Sequence, residues 1–378
     1  MKVRQFRLES NGVSKDGQTL QHEGASLVLV MGERHPLSKE ESQDTIGEAF
    51  PEAQIVYCST AGQIIGDSVV NDDLIITSIS FDQAKSQAVC MNLEDFSDVK
   101  SLGAAMFQAL DAPDLKSIFI CSDGHQVNGS ALKDGLEKDN LGRVLITGGL
   151  AGDGTAFEET ITGIGMAAPG NVVGIGLYGE CLELGYGSRG GWQYDNKMSL
   201  ITDSEGNVLK ELNGVPALRY YKEHLNGQLH TLPADALKFP LSISDPLSGQ
   251  QLVRTILSVD EQKETMTFAG DMPIASGVQF LKAEKHELID GARSAGIIAK
   301  SSHGSESPEL AILVSCIGRK LVLGDETSKE IAAVSQALGH ETPLMGFYSY
   351  GEMCPSSVHG QCELHNQTMT ITTIRERA

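Results

Sequence analysis

Four residues of metal-binding type fall close together near the C-terminus: Cys354, His359, Cys362 and His365. Thiolate and imidazole are ligands for zinc, iron and haem iron. Their spacing is not that of a zinc finger, and the sequence has no C-x-x-C pair. If residues 363–374 form one strand, Cys362 projects opposite Glu363 and His365, so a four-ligand site from this segment alone needs a bent backbone. The plain alternative is a set of core and surface-loop side chains. His125, like His35, sits just past an apolar strand, the position at which open α/β sheets often bind ligands. Either could ligate haem iron or hydrogen-bond a ligand; the alternative is an exposed loop imidazole.

Other groups suit different chemistry. Cys316-Ile317-Gly318-Arg319 follows the apolar run AILVSC. A nucleophilic Cys316 would need a lowered thiol pKa, which a neighbouring Arg favours, but no Cys–His–acid arrangement can be built around it. Arg319 gripping a carboxylate is the better use of its planar fork. Gly148-Gly149-Leu150-Ala151-Gly152-Asp153 is neither a P-loop nor a dinucleotide fingerprint, yet backbone donors at such a turn can cradle a polar ligand. Ser59 and Thr60 occupy a matching turn, and Tyr348, Tyr350 and Glu352 a third.

The elements that must position these groups recur. Leu27–Met31 and Ile55–Cys58 are short continuous apolar runs, the mark of buried strands, and Leu74–Phe81 is a third. Between the first two, 36–50 opens with Pro36 and early acidic residues, as a helix does. The order returns about 90 residues on, where IVYCSTAGQ at 55–63 lines up without gaps on LITGGLAGD at 145–153. A weaker third copy runs from AILVSC to LMGFYSYGE at 344–352. This pattern predicts an α/β fold of two related halves, with mixed sheets built from strand–helix–strand–glycine-turn modules. Helices are expected over 98–110 with Asp98 as cap, 216–225, 287–299, and 328–338 ended by Gly339. A hairpin is expected around SEGN at 204–207, paired strands at 252–259 and 265–269, and Trp192 as a core or pocket anchor.

At 378 residues the chain can bury a large core. A net charge of −21 argues against nucleic acid and against an anionic bilayer. Local basic residues at Arg189, Lys238, Arg254 and Arg319 leave an anionic ligand open. No signal sequence or apolar run of membrane-spanning length is visible. Seven cysteines, an odd number, do not suggest a disulfide framework. A cytoplasmic protein with reduced thiols is expected.

Several segments together resemble the FIST sensory family. They are Cys58-Ser-Thr-Ala-Gly62; Gly148 to Asp153 with Phe157 and Thr160; Gly190-Gly-Trp192; and Asn213-Gly-Val-Pro-Ala217 with Tyr220 and Tyr221. Lys238-Phe-Pro-Leu241, Cys316 to Arg319, Gly346 to Glu352 and His365-Asn366-Gln-Thr368 complete the set. The stretch after Trp192 departs from the family pattern, reading Gln-Tyr-Asp-Asn where Pro–Gly is usual. The resemblance implies a FIST N-terminal domain at 1–210 and a FIST C-terminal domain at 211–378. It implies a non-enzymatic signal-input module that binds a small ligand, an amino acid or similar metabolite for much of the family. The CELHNQTMT ending is similar to that of stand-alone bacterial FIST proteins, which bind haem, sense nitric oxide and act on a histidine kinase or a cyclic-di-GMP enzyme. On that reading the chain is a haem-based sensor controlling a separate enzyme, with a homodimer or a further bound metal as expectations. The candidate ligands to iron are His125, Cys354, His359, Cys362 and His365, with Arg319 or Arg189 near the propionates. Without haem, Ser59, Thr60, Gly148, Gly149, Tyr348, Tyr350 and Asn366 line a metabolite site. Arg319 then takes an amino acid's carboxylate, and Glu352 or Asp153 its amine. A thiol-dependent enzyme is the third class.

Overall fold

A computed structural model describes residues 1–9, 15, 19–229, 232, 234–244, 251–357 and 360–377. His359 therefore lies outside the described residues. The expected mixed α/β architecture is present, and the repeat is threefold. Module one contributes strands Lys2–Leu8, Leu27–Gly32, Gln54–Ser59 and Leu74–Ser80; module two contributes Lys85–Asn92, Leu115–Ser122, Leu145–Leu150 and Asn171–Tyr178. Module three contributes Leu182–Arg189, Leu310–Cys316, Leu344–Ser349 and Met369–Glu376. In each module the second and third strands run parallel, and the fourth lies antiparallel between the first and second. The central strands are buried along nearly their whole length, which is why they read as unbroken apolar runs rather than alternating ones.

The third strand of each module would be an open edge. A hairpin from another module covers it. Gln63–Ile65 with Ser68–Val70 of module one pairs onto Leu344–Ser349 of module three. Gly351–Pro355 with Cys362–His365 of module three pairs onto Leu145–Leu150 of module two. Thr162–Ile164 with Met166–Ala168 of module two pairs onto Gln54–Ser59 of module one. The lending closes in a cycle, so each exposed ladder is capped from within the chain. It also crosses the expected division at 210/211 in both directions.

The inner faces of the three sheets meet in a common core that includes Leu29, Val56, Phe119, Ile175, Ile312 and Phe347. Helices cover the outer faces. Val99–Leu110 starts on the Asp98 cap, whose Oδ1 accepts from Ser101 N at 2.7 Å, and it packs on Gly129–Glu137 through Gly103 and Gly135. A Cβ at Gly103 would lie 3.0 Å from Leu136 N. Lys285–Ser301 and Thr327–Leu338 pair likewise on the third sheet, and Gly339 ends the latter with φ +106°. The helix expected over 36–50 divides into Arg34–Leu37 and Glu40–Ala49 at Ser38.

Module three also carries an insert between Arg189 and Lys285. A twisted sheet, from the long strand Gln193–Glu205 to Ile256–Asp260, wraps helix Ala217–Leu225 around its own core of Ile201, Leu209, Tyr221, Phe268 and Phe280. The strand expected over 252–259 breaks at Thr255 into Gln251–Arg254 and Ile256–Asp260.

Candidate functional site

The three glycine turns do meet. Ala61 N donates to Tyr348 O at 2.8 Å, Tyr350 N to Leu150 O at 3.2 Å, and Gly152 N to Ser59 O at 3.0 Å. These bonds form a closed backbone ring at the C-terminal ends of the parallel strands, so the donors of the turns serve one another. Ser59 Oγ accepts from Ile161 N at 3.0 Å, and Thr60 Oγ1 from Gly62 N at 3.3 Å. Gly148, with φ +138°, and Gly149 are buried strand positions. A Cβ at Gly148 would strike the backbone of Ile120, and one at Gly149 would lie 2.6 Å from Val314. Their glycine character is explained by close packing of strands rather than by a ligand cradle.

The polar side chains beside the ring are also engaged. Asp153 accepts from Tyr350 OH and from the backbone N–H groups of Phe157, Glu158 and Glu159 at 2.9–3.0 Å. Burial pushes its carboxyl upward, but these donors hold it below the usual range. The Tyr350 ring stacks on Phe157 with centroids 4.8 Å apart. Arg319 does grip a carboxylate, that of its own neighbour Glu330. Its Nε and Nη2 donate at 3.2 and 2.9 Å to Glu330 Oε2, Nη2 also donates to Leu288 O, and Nη1 donates to Gly190 O. Tyr348 OH donates at 2.6 Å to the other Glu330 oxygen. Both ions are fully buried, so a ligand carboxylate or propionate at Arg319 would have to displace Glu330. Glu352 is likewise buried; its oxygens accept from Ser349 Oγ at 2.6 Å, Thr368 Oγ1 at 2.9 Å and Thr368 N at 3.1 Å. Burial raises its carboxyl from 4.5 to about 8, so it is neutral at pH 7.

The Cys/His segment is not one strand. Cys362–His365 ends the second sheet and Met369–Glu376 begins in the third, with Gln367 at φ +61° in the crossing. Cys354 and Cys362 are buried, and burial pushes both thiols well up, away from the thiolate a metal needs. His365 Nε2 donates to Cys354 O at 2.8 Å, and burial lowers its pKa to about 4. Among the described residues no three His, Cys, Asp or Glu side chains come together as a metal site. Cys316 is also buried, with its thiol raised by burial and by Glu352. A lowered thiol pKa, as expected of a nucleophile beside Arg319, is therefore contradicted.

Beside the ring, a cleft of about 270 Å³ opens between module two and the insert. Its module side is His125, Gln126, Asn128, Gly129 and Leu150, joined by Tyr350 of module three; its insert side is Asn207, Leu257, Phe268 and Ala269. It opens beyond the end of Leu115–Ser122, where Asp123 holds the turn by accepting from His125 N and Gln126 N at 2.7 and 2.6 Å. His125 is exposed, and its imidazole makes no hydrogen bond among the described residues. Asn128 caps the helix Gly129–Glu137 through Ala131 N at 3.0 Å. The seam behind the cleft is fastened by the segment 364–367. Leu364 O accepts from Arg254 at 2.9 Å, Asn366 Oδ1 from Thr255 N at 3.4 Å, and Gln367 O from Trp192 Nε1 at 2.7 Å, while Gln367 Nε2 donates to Leu237 O at 3.0 Å.

A FIST N domain matches residues 26–215 and a FIST C domain matches residues 217–355. The chain belongs to the FIST family. FIST domains are signalling sensor domains that bind small ligands. A relative in Methanocaldococcus jannaschii, named uncharacterized protein MJ1623, is 22% identical over 307 residues. The match covers 74% of this chain and 57% of that protein, so the FIST chain spans little more than half the length of the relative. The crystal structure of a cyanuric acid hydrolase from A. caulinodans aligns over 100% of this chain and 99% of its own, at TM-score 0.36 and 7% identity, too low to bear on chemistry. No helix among the described residues is long and apolar enough to cross a membrane.

Haem fits this arrangement poorly. His365 and the buried thiols are engaged or protonated, and the cleft at His125, about 270 Å³, has room for a small metabolite but not for a porphyrin. The insert's contribution to the cleft, Asn207, Leu257 and Phe268, escaped the reading of the sequence because nothing local relates the insert to module two. Asn128 was findable: an Asn ahead of Gly-Ser-Ala-Leu is an N-cap signal. Arg254, visible only as a local basic residue, proves to be 4% exposed with no carboxylate within 4 Å among the described residues, its pKa drawn down by burial to about 10.

Proposed function

We propose that this FIST protein is a signal-input module that takes a small carboxylate-bearing metabolite, of the amino-acid class, in the cleft between module two and the insert. The observation that carries this reading is the placement of the cleft. It combines strand C-terminal ends, an unengaged imidazole at His125, the start of helix Gly129–Glu137, and apolar walls from Leu150, Leu257 and Phe268. Helix N-termini favour anions, and Asn128 and Asn207, whose Nδ2 groups spend one N–H each on Asp271 Oδ1 and Phe268 O respectively, keep a second N–H for the polar end of such a ligand. A ligand touching both walls would change how the insert sits on the 364–367 segment, and that displacement is the output. Thermal unfolding against a panel of amino acids and short carboxylates tests the reading. One member should raise Tm saturably, and His125→Ala and Leu257→Ala, at the half-buried wall of the cleft, should abolish the shift. A panel without effect, or a shift that both variants retain, refutes it.

A haem-bound, nitric-oxide-sensing form is the second reading. The observation favouring it is the imidazole of His125, without a hydrogen bond among the described residues, in a cleft it shares with Leu150, Phe268 and Tyr350. A porphyrin would need more room than the cleft of about 270 Å³ provides. A Soret band at stoichiometric haem that shifts in His125→Ala would establish it, and its absence would remove it. Control of a sensor histidine kinase or a cyclic-di-GMP enzyme rests on the family resemblance alone. Kinase autophosphorylation measured with and without this chain checks it.

A further inference from the structure

Away from the cleft, the end of strand Leu182–Arg189 faces a second cavity of about 270 Å³. It lies between that strand, the C-terminal turn of helix Lys285–Ser301, and the residues following Gly351–Pro355. The lining is rich in hydroxyls, with Ser188, Ser301, Ser302, Ser356 and Ser357 around Arg189, and it contains no Asp or Glu among the described residues. Such a lining is unexpected in a chain of net charge −21. Arg189 donates from Nη1 to Ser188 O at 2.9 Å and makes no ion pair among the described residues. A guanidinium has five N–H donors, so most of this fork is free. The helix end would disfavour an anion if its carbonyls were bare, but they are occupied. Ile298 O accepts from Ser301 Oγ at 2.6 Å, Ala299 O from Thr373 Oγ1 at 3.2 Å, and Lys300 O from His303 N at 2.9 Å.

We infer that this cavity is a second ligand site, for a phosphate monoester, with Arg189 and the hydroxyls of Ser188, Ser302 and Ser357 holding the phosphate. The donors outnumber the two oxygens of a carboxylate and suit a group presenting three or more, and Arg is the side chain best shaped for bidentate phosphate contact. The volume exceeds that of a bare phosphate, and Ile298 and Pro355 offer an apolar wall for a small organic part. The cavity exists because the hairpin of module three is longer than its two counterparts: six residues separate its strands at 355 and 362, against two in module one and one in module two. Its first residues, Ser356 and Ser357, line the cavity opposite Ile298 and Ser301.

Calorimetric titration with phenyl phosphate, inorganic phosphate and benzoate tests this. Phenyl phosphate should bind saturably, more tightly than inorganic phosphate, and benzoate should bind at least roughly tenfold more weakly. Arg189→Gln should weaken phenyl phosphate by roughly tenfold or more, Arg189→Lys by less, and Ser302→Ala with Ser357→Ala by several-fold. Circular dichroism confirms that the variants, all at the surface, stay folded. Equal affinity for benzoate and phenyl phosphate, or affinity unchanged in Arg189→Gln, overturns the assignment. The cleft reading is untouched by either result, because His125→Ala leaves this cavity intact.

Discussion

Replacing Glu352 with Gln should make the protein more stable above neutral pH while changing little below pH 5. In the folded state this carboxyl is fully buried, and burial raises its pKa from 4.5 to about 8. Its surroundings fit the neutral form. Ser349 Oγ donates to Oε1 at 2.6 Å when the carboxyl is ionised; with a proton on Oε1 that bond reverses and Ser349 donates to Ser315 O at 3.3 Å instead, while Oε2 accepts from Thr368 in either form. A Gln amide can reproduce that pattern, with its NH₂ toward Ser349 and its oxygen toward Thr368. Below pH 4.5 both folded and unfolded states carry the proton, and the wild type has no penalty. Between 4.5 and about 8 only the folded state holds it, so stability falls as pH rises and levels off above the folded pKa. At about 1.36 kcal/mol per unit the full shift corresponds to ~5 kcal/mol, an upper figure. Urea unfolding of wild type and Glu352→Gln at pH 5 and pH 9 isolates the effect, since other titrating groups are common to both. The stability difference should move by about 2–5 kcal/mol in favour of Gln at pH 9. A difference independent of pH would mean that Glu352 ionises normally, and the neutral-network reasoning would fail.

Arg319→Met should destabilise by about 3–5 kcal/mol, because it strands the buried Glu330 charge, and Tyr348→Phe by about 1.5–3 kcal/mol for one bond to that charge; denaturant midpoints read both. If Arg319→Met were nearly neutral, the pair would not be closed off from solvent. Gly148→Ala should cost about 3 kcal/mol or more, since it combines a φ of +138° with a collision against Ile120, and should show as reduced soluble yield and lowered Tm. Burial pushes Glu376 upward, but the backbone N–H groups of Ala84, Asp82 and Gln83 outweigh it and bring the pKa to about 2. Its stabilisation is therefore complete above pH 4.5 and lost as pH falls toward 2. Glu376→Gln should flatten that acid limb of a Tm–pH profile.

The repeat was legible because buried parallel strands announce themselves as apolar runs and because the turns between modules need glycine for close backbone approach, as Gly148 and Gly152 do. The exchange of hairpins was not. Gln63–Ile65 and Thr162–Ile164 are only three residues each, too short for any periodicity, and their partners lie in other modules. The candidate site was half visible for a related reason. Residue type marked Arg319, Asp153, Glu352 and Tyr350 as candidate ligand-binding groups, but type cannot distinguish a group awaiting a ligand from one satisfied internally. Arg319 and Glu330 are eleven residues apart on neighbouring helices, and nothing in the spelling of either says they meet.

The stretch from Leu344 to Ile374 shows why the two kinds of group are mixed. Its strand, hairpin and final strand belong to two different sheets, and its crossing residues Asn366 and Gln367 hold the insert. A segment with that many obligations must satisfy its polar side chains internally, because each backbone reversal leaves donors and acceptors that water cannot reach. The density of His, Cys, Asn and Glu there is the signature of a junction. The two proposed ligand sites lie at its margins: one at His125, just past strand Leu115–Ser122, where Tyr350 joins the lining, and one at Arg189, where Pro355 and Ser357 do. Departures from the threefold pattern, more than the pattern itself, are where this FIST chain has room for chemistry.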